Sequence, residues 1–195
     1  MGLILDDVPG ATLLDGDVAL DLLPRHIDTQ EELNEWEQNN ILIARKWLFA
    51  RKRKNVLTET FCRNLHYRMF STTWRWAGRF RQTDKNIGVD WRYISVKLCD
   101  LFDDVQYWLK YSIYSIDELA ARFHHRLVYI HPFENGNGRC ARLMADALLY
   151  EQQKQPFSWG SAHLVGKGDA RSRYLDALRA ADKGDMQLLL SFVRT

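Results

Sequence analysis

Apolar residues recur at helical spacing along most of the chain. Leu33, Trp36, Asn40, Ile43, Ala44 and Trp47 fall on one stripe, and Thr29 with Glu32 forms a capping box ahead of them. This predicts a long amphipathic helix from Thr29 to the basic run Arg51–Lys54. Thr58 is placed to cap a second helix carrying Phe61, Leu65 and Met69, and Ser95 a third carrying Leu98, Leu101, Phe102, Val105, Trp108 and Leu109. Asp117 opens a fourth, with Leu119, Phe123, Leu127 and Ile130 inward; it should stop at Ile130, because Pro132 pushes His131 out of the helical region. Further helices fit Arg139–Gln153, Asp169–Ala181 and Asp185–Val193.

Two stretches break this pattern. Residues 1–28 hold Pro9-Gly10, Asp15-Gly16 and Pro24 without sustained periodicity, and read as an irregular arm. Trp74–Arg81 and Asn86–Ile94 mix glycine, aromatic and β-branched residues with some alternation, which predicts a short β-hairpin; Trp74 and Trp76 read as core anchors. The expected fold is therefore all-α, with one small β-hairpin and half or more of the residues helical. The expected division is an N-terminal arm and helix over 1–54 and a main domain over 55–195.

Composition narrows the function classes. The 195 residues are 46% hydrophobic, enough for one sizeable core. A formal charge of +2 gives no broad electrostatic field, so Arg51–Lys54 reads as a solvated helix end, and a nucleic-acid surface is argued against. No run approaches the roughly twenty apolar residues of a membrane span, and Met1–Asp7 lacks a basic region before its apolar run. The expectation is a cytoplasmic protein without a membrane partner. Cys62, Cys99 and Cys140 are odd in number and widely spaced, which fits neither a disulfide framework nor a zinc site. His26, His66 and His163 form no ligand cluster and receive no role, and of His124 and His125 one should be packed and the other exposed.

The chemistry concentrates in HPFENGNGRCAR, from His131 to Arg142. Asn135-Gly136 and Asn137-Gly138 tolerate positive φ, so their amides can converge at the start of the next helix, where an anion is favoured. Arg139 and Arg142 oppose the macrodipole there unless an anion sits between them. As forked donors three residues apart they suit the separate phosphates of a polyphosphate. Glu134 is a hard oxygen ligand for Mg²⁺, and His131 a base for an attacking hydroxyl. The plainer alternative is a helix–turn–helix link with snorkelling arginines. Against it, seven specified positions would match by chance about once in 10⁷ over this length.

The segment resembles the signature of Fic proteins, His-x-Phe-x-(Asp/Glu)-Gly-Asn-Gly-Arg-x-x-Arg, with the specified positions present between His131 and Arg142 except the acidic one, which Asn135 takes with Glu134 just before it. Trp76–Arg81 is similar to the family segment leading to its flap, and the N-terminal helix is similar to that of the subgroup called mobile mystery protein B. The resemblance implies a protein adenylyltransferase that moves AMP from ATP onto a Ser, Thr or Tyr hydroxyl of a target protein. In it His131 is the base, Glu134 holds Mg²⁺, Asn137 with the Gly136 and Gly138 amides cradles the α-phosphate, and Arg139 and Arg142 bind the β- and γ-phosphates beside Asn135. Asn86, Ile87, Gly88 and Val89 would form a flap docking the target by main-chain pairing.

Many Fic proteins carry an inhibitory glutamate in a (Ser/Thr)-x-x-x-Glu-(Gly/Asn) motif, and no strict match exists here. Glu37, Glu35 and Glu32 are the nearest candidates, with Arg142 as the expected partner. The alternatives are another nucleotide or phosphate-containing donor, removal of AMP, or a low-turnover nucleotide-binding regulatory module. The target, the donor base and the choice between monomer and homodimer stay open.

Overall fold

The computed structural model describes residues 20–161 and 169–195. The N-terminal arm over 1–19 and His163 lie outside the described residues. Among those described, seven α-helices follow in order: α1 Gln30–Phe49, α2 Glu59–Phe70, α3 Ile94–Tyr111, α4 Ile116–Ile130, α5 Asn137–Glu151, α6 Asp169–Asp182 and α7 Gln187–Val193. The all-α expectation holds.

Capping fixes several starts. Thr29 accepts from the Glu32 amide while the Glu32 carboxylate accepts from the Thr29 amide, closing the box at α1. Thr58 and Ser115 accept from the amides of Phe61 and Glu118. Ser95 does not cap α3. A short 3₁₀ turn, Trp91–Tyr93, leads into that helix, and the Asp90 carboxylate caps the turn by accepting from the Arg92 amide at 3.0 Å.

Helices α4 and α5 form the central antiparallel pair, flanked by α1 and α2 on one side and by α6 and α7 on the other, with α3 beside α4. The core runs through Leu48, Leu65, Met69, Leu98, Leu101, Phe123, Met144 and Leu148, all buried. On α1 the buried stripe is Leu33, Glu37, Ala44 and Leu48, turned from the expected one, so that Ile43 is exposed.

The predicted hairpin does not form. Among the described residues there is no strand, only the isolated bridges Leu22 to Trp74 and Phe80 to Phe133. The physical reason is Arg81, whose buried guanidinium donates to the carbonyls of Thr83, at 2.8 Å, and of Val89. Those carbonyls would otherwise serve a cross-strand ladder, so 82–90 becomes a loop wrapped on an arginine. Trp74 and Trp76 are core residues as expected, stacked 5.1 Å apart. No helix among the described residues is long and apolar enough to cross a membrane.

Candidate active site

Helix α4 ends on His131, which adopts the left-handed conformation at φ 55° while its amide bonds the Leu127 carbonyl. That region costs a non-glycine residue about 1–2 kcal/mol, so the surroundings must enforce it. Arg81 supplies part of the enforcement: its Nε donates to the His131 carbonyl at 2.7 Å and its amide to the Pro132 carbonyl at 2.9 Å. Gly88 lies against both, and a Cβ there would come within 2.7 Å of the His131 Cβ and 2.8 Å of the Arg81 guanidinium. The expected docking loop is thus stitched to the expected base.

The His131 ring is buried, and Nδ1 lies 3.3 Å from the Val128 carbonyl. Nδ1–H therefore donates, and the neutral ring carries its lone pair on Nε2. Burial, with the Arg81 charge adding to it, pulls the imidazole down to about 4.

Beyond His131 the chain turns through Pro132–Gly136 into α5. Asn137 staples this turn: its amide group accepts from the Phe133 N–H and donates to the Phe133 carbonyl, both at 2.8 Å. Gly136 takes φ 75°, and a Cβ on it would sit 2.5 Å from Phe70, so no other residue fits. Its amide is occupied by the Asn135 side chain at 2.5 Å. The division of labour differs from the expected cradle. The Asn137 side chain closes the loop, and the amides left ahead of the first intrahelical bond, Cys140 to Gly136, are those of Asn137, Gly138 and Arg139. No side chain caps this N-terminus. An uncapped helix start bearing two arginines is a site for a polyanion.

The charged groups around that start are held in two ion pairs. Glu37, buried on α1, pairs with the Arg139 guanidinium and accepts from Trp74 Nε1 at 2.6 Å. The expected partner, Arg142, is not the one engaged. Arg142 instead lies over the Tyr174 ring, 5.4 Å from its centroid, and the Tyr174 hydroxyl is 2.9 Å from His124 Nε2. Glu35 is exposed and Glu32 serves the α1 cap, so neither reaches an arginine. The second pair joins Glu134 to Lys85, with Nζ 2.8 Å from Oε2.

Residues 56–149 match the Fic/DOC family. The turn from His131 to Arg142 lies inside this match. It is 32% identical over 124 residues to protein adenylyltransferase fic-1 of Caenorhabditis elegans, covering 60% of this chain and 22% of that one. Against protein adenylyltransferase Fic of Nematostella vectensis the identity is 38% over 76 residues, 39% of this chain and 16% of the other. The chain thus spans about a fifth of the length of the curated relatives it matches. The fold is shared with BepC of Bartonella tribocorum, a VirB-translocated effector solved with bound AMPPNP, at a TM-score of 0.66 and 19% identity over 86% of this chain and 87% of that one.

Three positioning residues of this site escape sequence reading. Arg81 and Lys85 are described above. His66, given no role, accepts from the Gly78 amide on Nδ1 at 2.9 Å and donates from Nε2 to the Asn135 carbonyl at 3.0 Å, while its ring stacks on Phe133 at 3.7 Å. It pins the α4–α5 turn to α2. The only advance signal was its place beside Leu65 on a buried stripe, where a polar ring needs partners. His124 is packed, and His125 is half-buried and reaches Asp182 at 2.8 Å.

A pH dependence follows. Burial holds His66 and His124 down to about 3 and His131 to about 4, so all three stay neutral in the fold, whereas in the unfolded chain they protonate near 6.5. Their contribution is intact above pH 6.5 and is lost as pH falls toward the folded values. Asp146 opposes them: burial raises its carboxyl to about 6, so the fold takes that proton first. Three histidines less one carboxyl leave a net excess of two protons on the unfolded chain between pH 6 and 4, or about 3 kcal/mol lost per pH unit. Urea unfolding at pH 7, 6 and 5 measures this; a flat profile contradicts the buried, neutral state of these rings.

Proposed function

We propose that this chain is a protein adenylyltransferase, which transfers AMP from ATP to a Ser, Thr or Tyr hydroxyl of a target protein. The observation carrying this reading is a buried, neutral imidazole at the end of α4, joined by one short turn to the uncapped, doubly cationic start of α5. The adenylyltransferase activity of the curated relatives, and the AMPPNP held by BepC, support the same donor.

In this reading the α-phosphate lies against the amides of Asn137, Gly138 and Arg139, and Arg139 and Arg142 take the β- and γ-phosphates. Gly138 leaves room for them, since a Cβ there would meet only the Tyr174 hydroxyl at 3.7 Å and Arg142 at 3.8 Å. His131 Nε2 accepts the proton of the target hydroxyl as its oxygen attacks the α-phosphorus, and the bond to the bridging oxygen breaks to release pyrophosphate. Residues 86–89 dock the target chain from the loop tied to His131.

Among the described residues no three His, Cys, Asp or Glu side chains converge. Magnesium suits such a site, since it is content with one carboxylate, substrate phosphates and water. Asn135 takes the acidic position of the signature and its side-chain oxygen faces the Gly136 amide, so the carboxylate the turn offers is Glu134, one residue earlier, whose Oε2 pairs with Lys85. When bound, the ion neutralises charge on the phosphates. The contact between Glu37 and Arg139 withholds a phosphate donor and makes the resting molecule self-inhibited.

The test is transfer from ATP labelled at either the α or the γ position, with Mg²⁺ and a cell lysate, read by mass spectrometry. Adenylyl transfer puts the α label alone on protein, as an AMP adduct on a hydroxyl residue. A γ label on protein means a different donor chemistry and overturns the reading.

A further inference from the structure

The two arginines at the start of α5 are seated differently. Arg139 is held by the Glu37 carboxylate, whereas the Arg142 guanidinium lies over the ring of Tyr174, a buried residue of α6. The difference matters to an incoming anion. A carboxylate occupies the edge of a guanidinium, where the N–H donors point, and has to be removed before a phosphate can bind there. An aromatic ring engages the flat face and leaves that edge for the anion. Tyr174 is in turn fixed from several sides. Its hydroxyl is 2.9 Å from His124 Nε2 on α4, and its ring centroid lies 5.7 Å from that of Phe192 on α7. His124 is itself backed by Trp159, with 4.6 Å between ring centroids, and the Trp159 indole donates to the Asp146 carboxylate on α5 at 3.0 Å. A Cβ on Gly138 would lie 3.7 Å from the Tyr174 hydroxyl and 3.8 Å from Arg142 Nη1, so both groups face the first turn of α5. Arg171, also on α6, is held below the usual guanidinium range by burial and by the Arg142 and Arg139 charges, which marks a surplus of cations on this side of the turn.

We propose that Tyr174 is a positioning residue for the nucleotide polyphosphate: it carries Arg142 on its ring face, so that the guanidinium meets the outer phosphates edge-on. This rests on the transfer reading for the nucleotide and deepens it by naming how one of the two phosphate-binding arginines is kept ready. An arginine on a long stem gives up rotamer freedom when it binds an anion, and a fixed ring that already orders part of the stem reduces that loss. The bond to His124 and the contact with Phe192 supply the fixed ring. Helix α6 thereby acquires a place in the site, although none of its residues belongs to the turn from His131 to Arg142. Because Arg142 serves the outer phosphates in that reading, the effect falls on nucleotides that carry them and spares AMP.

Binding tests this without reference to turnover. Full-length wild type, Tyr174→Leu, Tyr174→Phe, Arg142→Ala and the double variant Tyr174→Leu/Arg142→Ala are titrated calorimetrically with a non-hydrolysable ATP analogue and with AMP. Tyr174→Leu should bind the analogue about tenfold more weakly, the scale of one cation–π contact, and AMP within about threefold of wild type. Tyr174→Phe keeps the ring face and should bind the analogue within about threefold of wild type. On the Arg142→Ala background the leucine substitution should cost nothing further, because the ring acts only through that guanidinium. Equal weakening of AMP and the analogue, or an undiminished loss on the Arg142→Ala background, would mean that Tyr174 only packs α6 against α4 and overturns the proposal. A phenylalanine variant as weak as the leucine one also overturns it. Should Tyr174→Leu not fold, the Arg142 Nε–H resonance decides, identified by its absence from Arg142→Ala. Ring current should shift it upfield in nucleotide-free wild type and in Tyr174→Phe, and an unshifted resonance overturns the placement. A wild-type chain that binds neither ligand counts against the transfer reading instead, and the same resonance still decides whether Tyr174 seats Arg142.

Discussion

Replacing His131 by alanine should lower AMP transfer at least 10³-fold while nucleotide affinity stays within about threefold of wild type. General-base catalysis contributes roughly 10²–10⁴-fold, and the other buried imidazoles nearby are committed elsewhere: His66 spends both nitrogens on Gly78 and Asn135, and His124 Nε2 faces Tyr174. The amides and arginines proposed for the phosphates follow the Asn137 staple along the chain, so they should survive the substitution. Alanine at φ 55° carries the same kind of backbone strain as histidine, and asparagine carries less. His131→Asn therefore separates base from backbone. If His131→Asn kept the transfer that His131→Ala loses, the histidine would be holding a turn; if both variants fall equally, it moves a proton. Isothermal titration with the ATP analogue and initial rates from α-labelled ATP supply the two numbers. Residual transfer within tenfold of wild type would remove His131 from the chemistry.

The same residue fixes the acid limb of the rate profile. With the free-enzyme imidazole near 4, kcat/KM should stay level well below pH 6.5 until the fold itself begins to fail. The limb in kcat should lie higher, since bound phosphates favour the protonated ring.

What the sequence made legible was local. The box at Thr29, the cap at Thr58 and the end of α4 before Pro132 all depend on residues within a few positions of one another, and they stand where expected, whereas the α1 stripe is turned. The motif from His131 to Arg142 was legible for the same reason. What was missed depends on contacts across the chain. Lys85 meets a carboxylate in the α4–α5 turn, His66 meets a carbonyl in the same turn, and Arg81 wraps its own loop while reaching His131. Alternation over 86–94 looked like a strand because nothing local reveals that the ladder carbonyls are already taken.

Glu37 lies between these cases. Its spacing from Leu33, Ala44 and Leu48 places it on the buried stripe of α1, and a carboxylate on an apolar stripe requires a cation. With the stripe read around Trp36, Ile43 and Trp47, that signal was lost, and Glu37 stood only as one of three candidate inhibitory glutamates. The partner was misassigned because Arg139 and Arg142 differ by less than a helical turn, while the tertiary approach of α1 to α2 and α5 decides which one Glu37 meets.

Substituting Glu37 should raise self-modification and target labelling by on the order of tenfold or more, at a cost in stability. The carboxylate holds Arg139 in the geometry a phosphate would need, and without it Arg139 keeps only the Asn135 side chain at 3.4 Å and the Phe70 face at 4.9 Å, contacts that leave its charge available. Breaking a buried pair can cost about 3–5 kcal/mol, and Arg139 is partly solvated, which places the loss toward the lower end. Glutamine and glycine then separate two effects. Glu37→Gln keeps an oxygen for Trp74 Nε1 and loses only the charge. Glu37→Gly also strands that indole N–H, about 1–3 kcal/mol, and adds roughly 1 kcal/mol for glycine within a helix. Both should gain activity, and the glycine variant should melt lower. Glu32→Gly should lose stability through the capping box and Glu35→Gly should change little, with neither gaining transfer. In the Glu37 variants the affinity for ATP should rise by the same factor as labelling at subsaturating nucleotide, because the carboxylate and the phosphate compete for one guanidinium. Labelling by Glu37→Gln at the wild-type level, with ATP affinity unchanged, would mean that this ion pair holds α1 to the core and has no part in restraint.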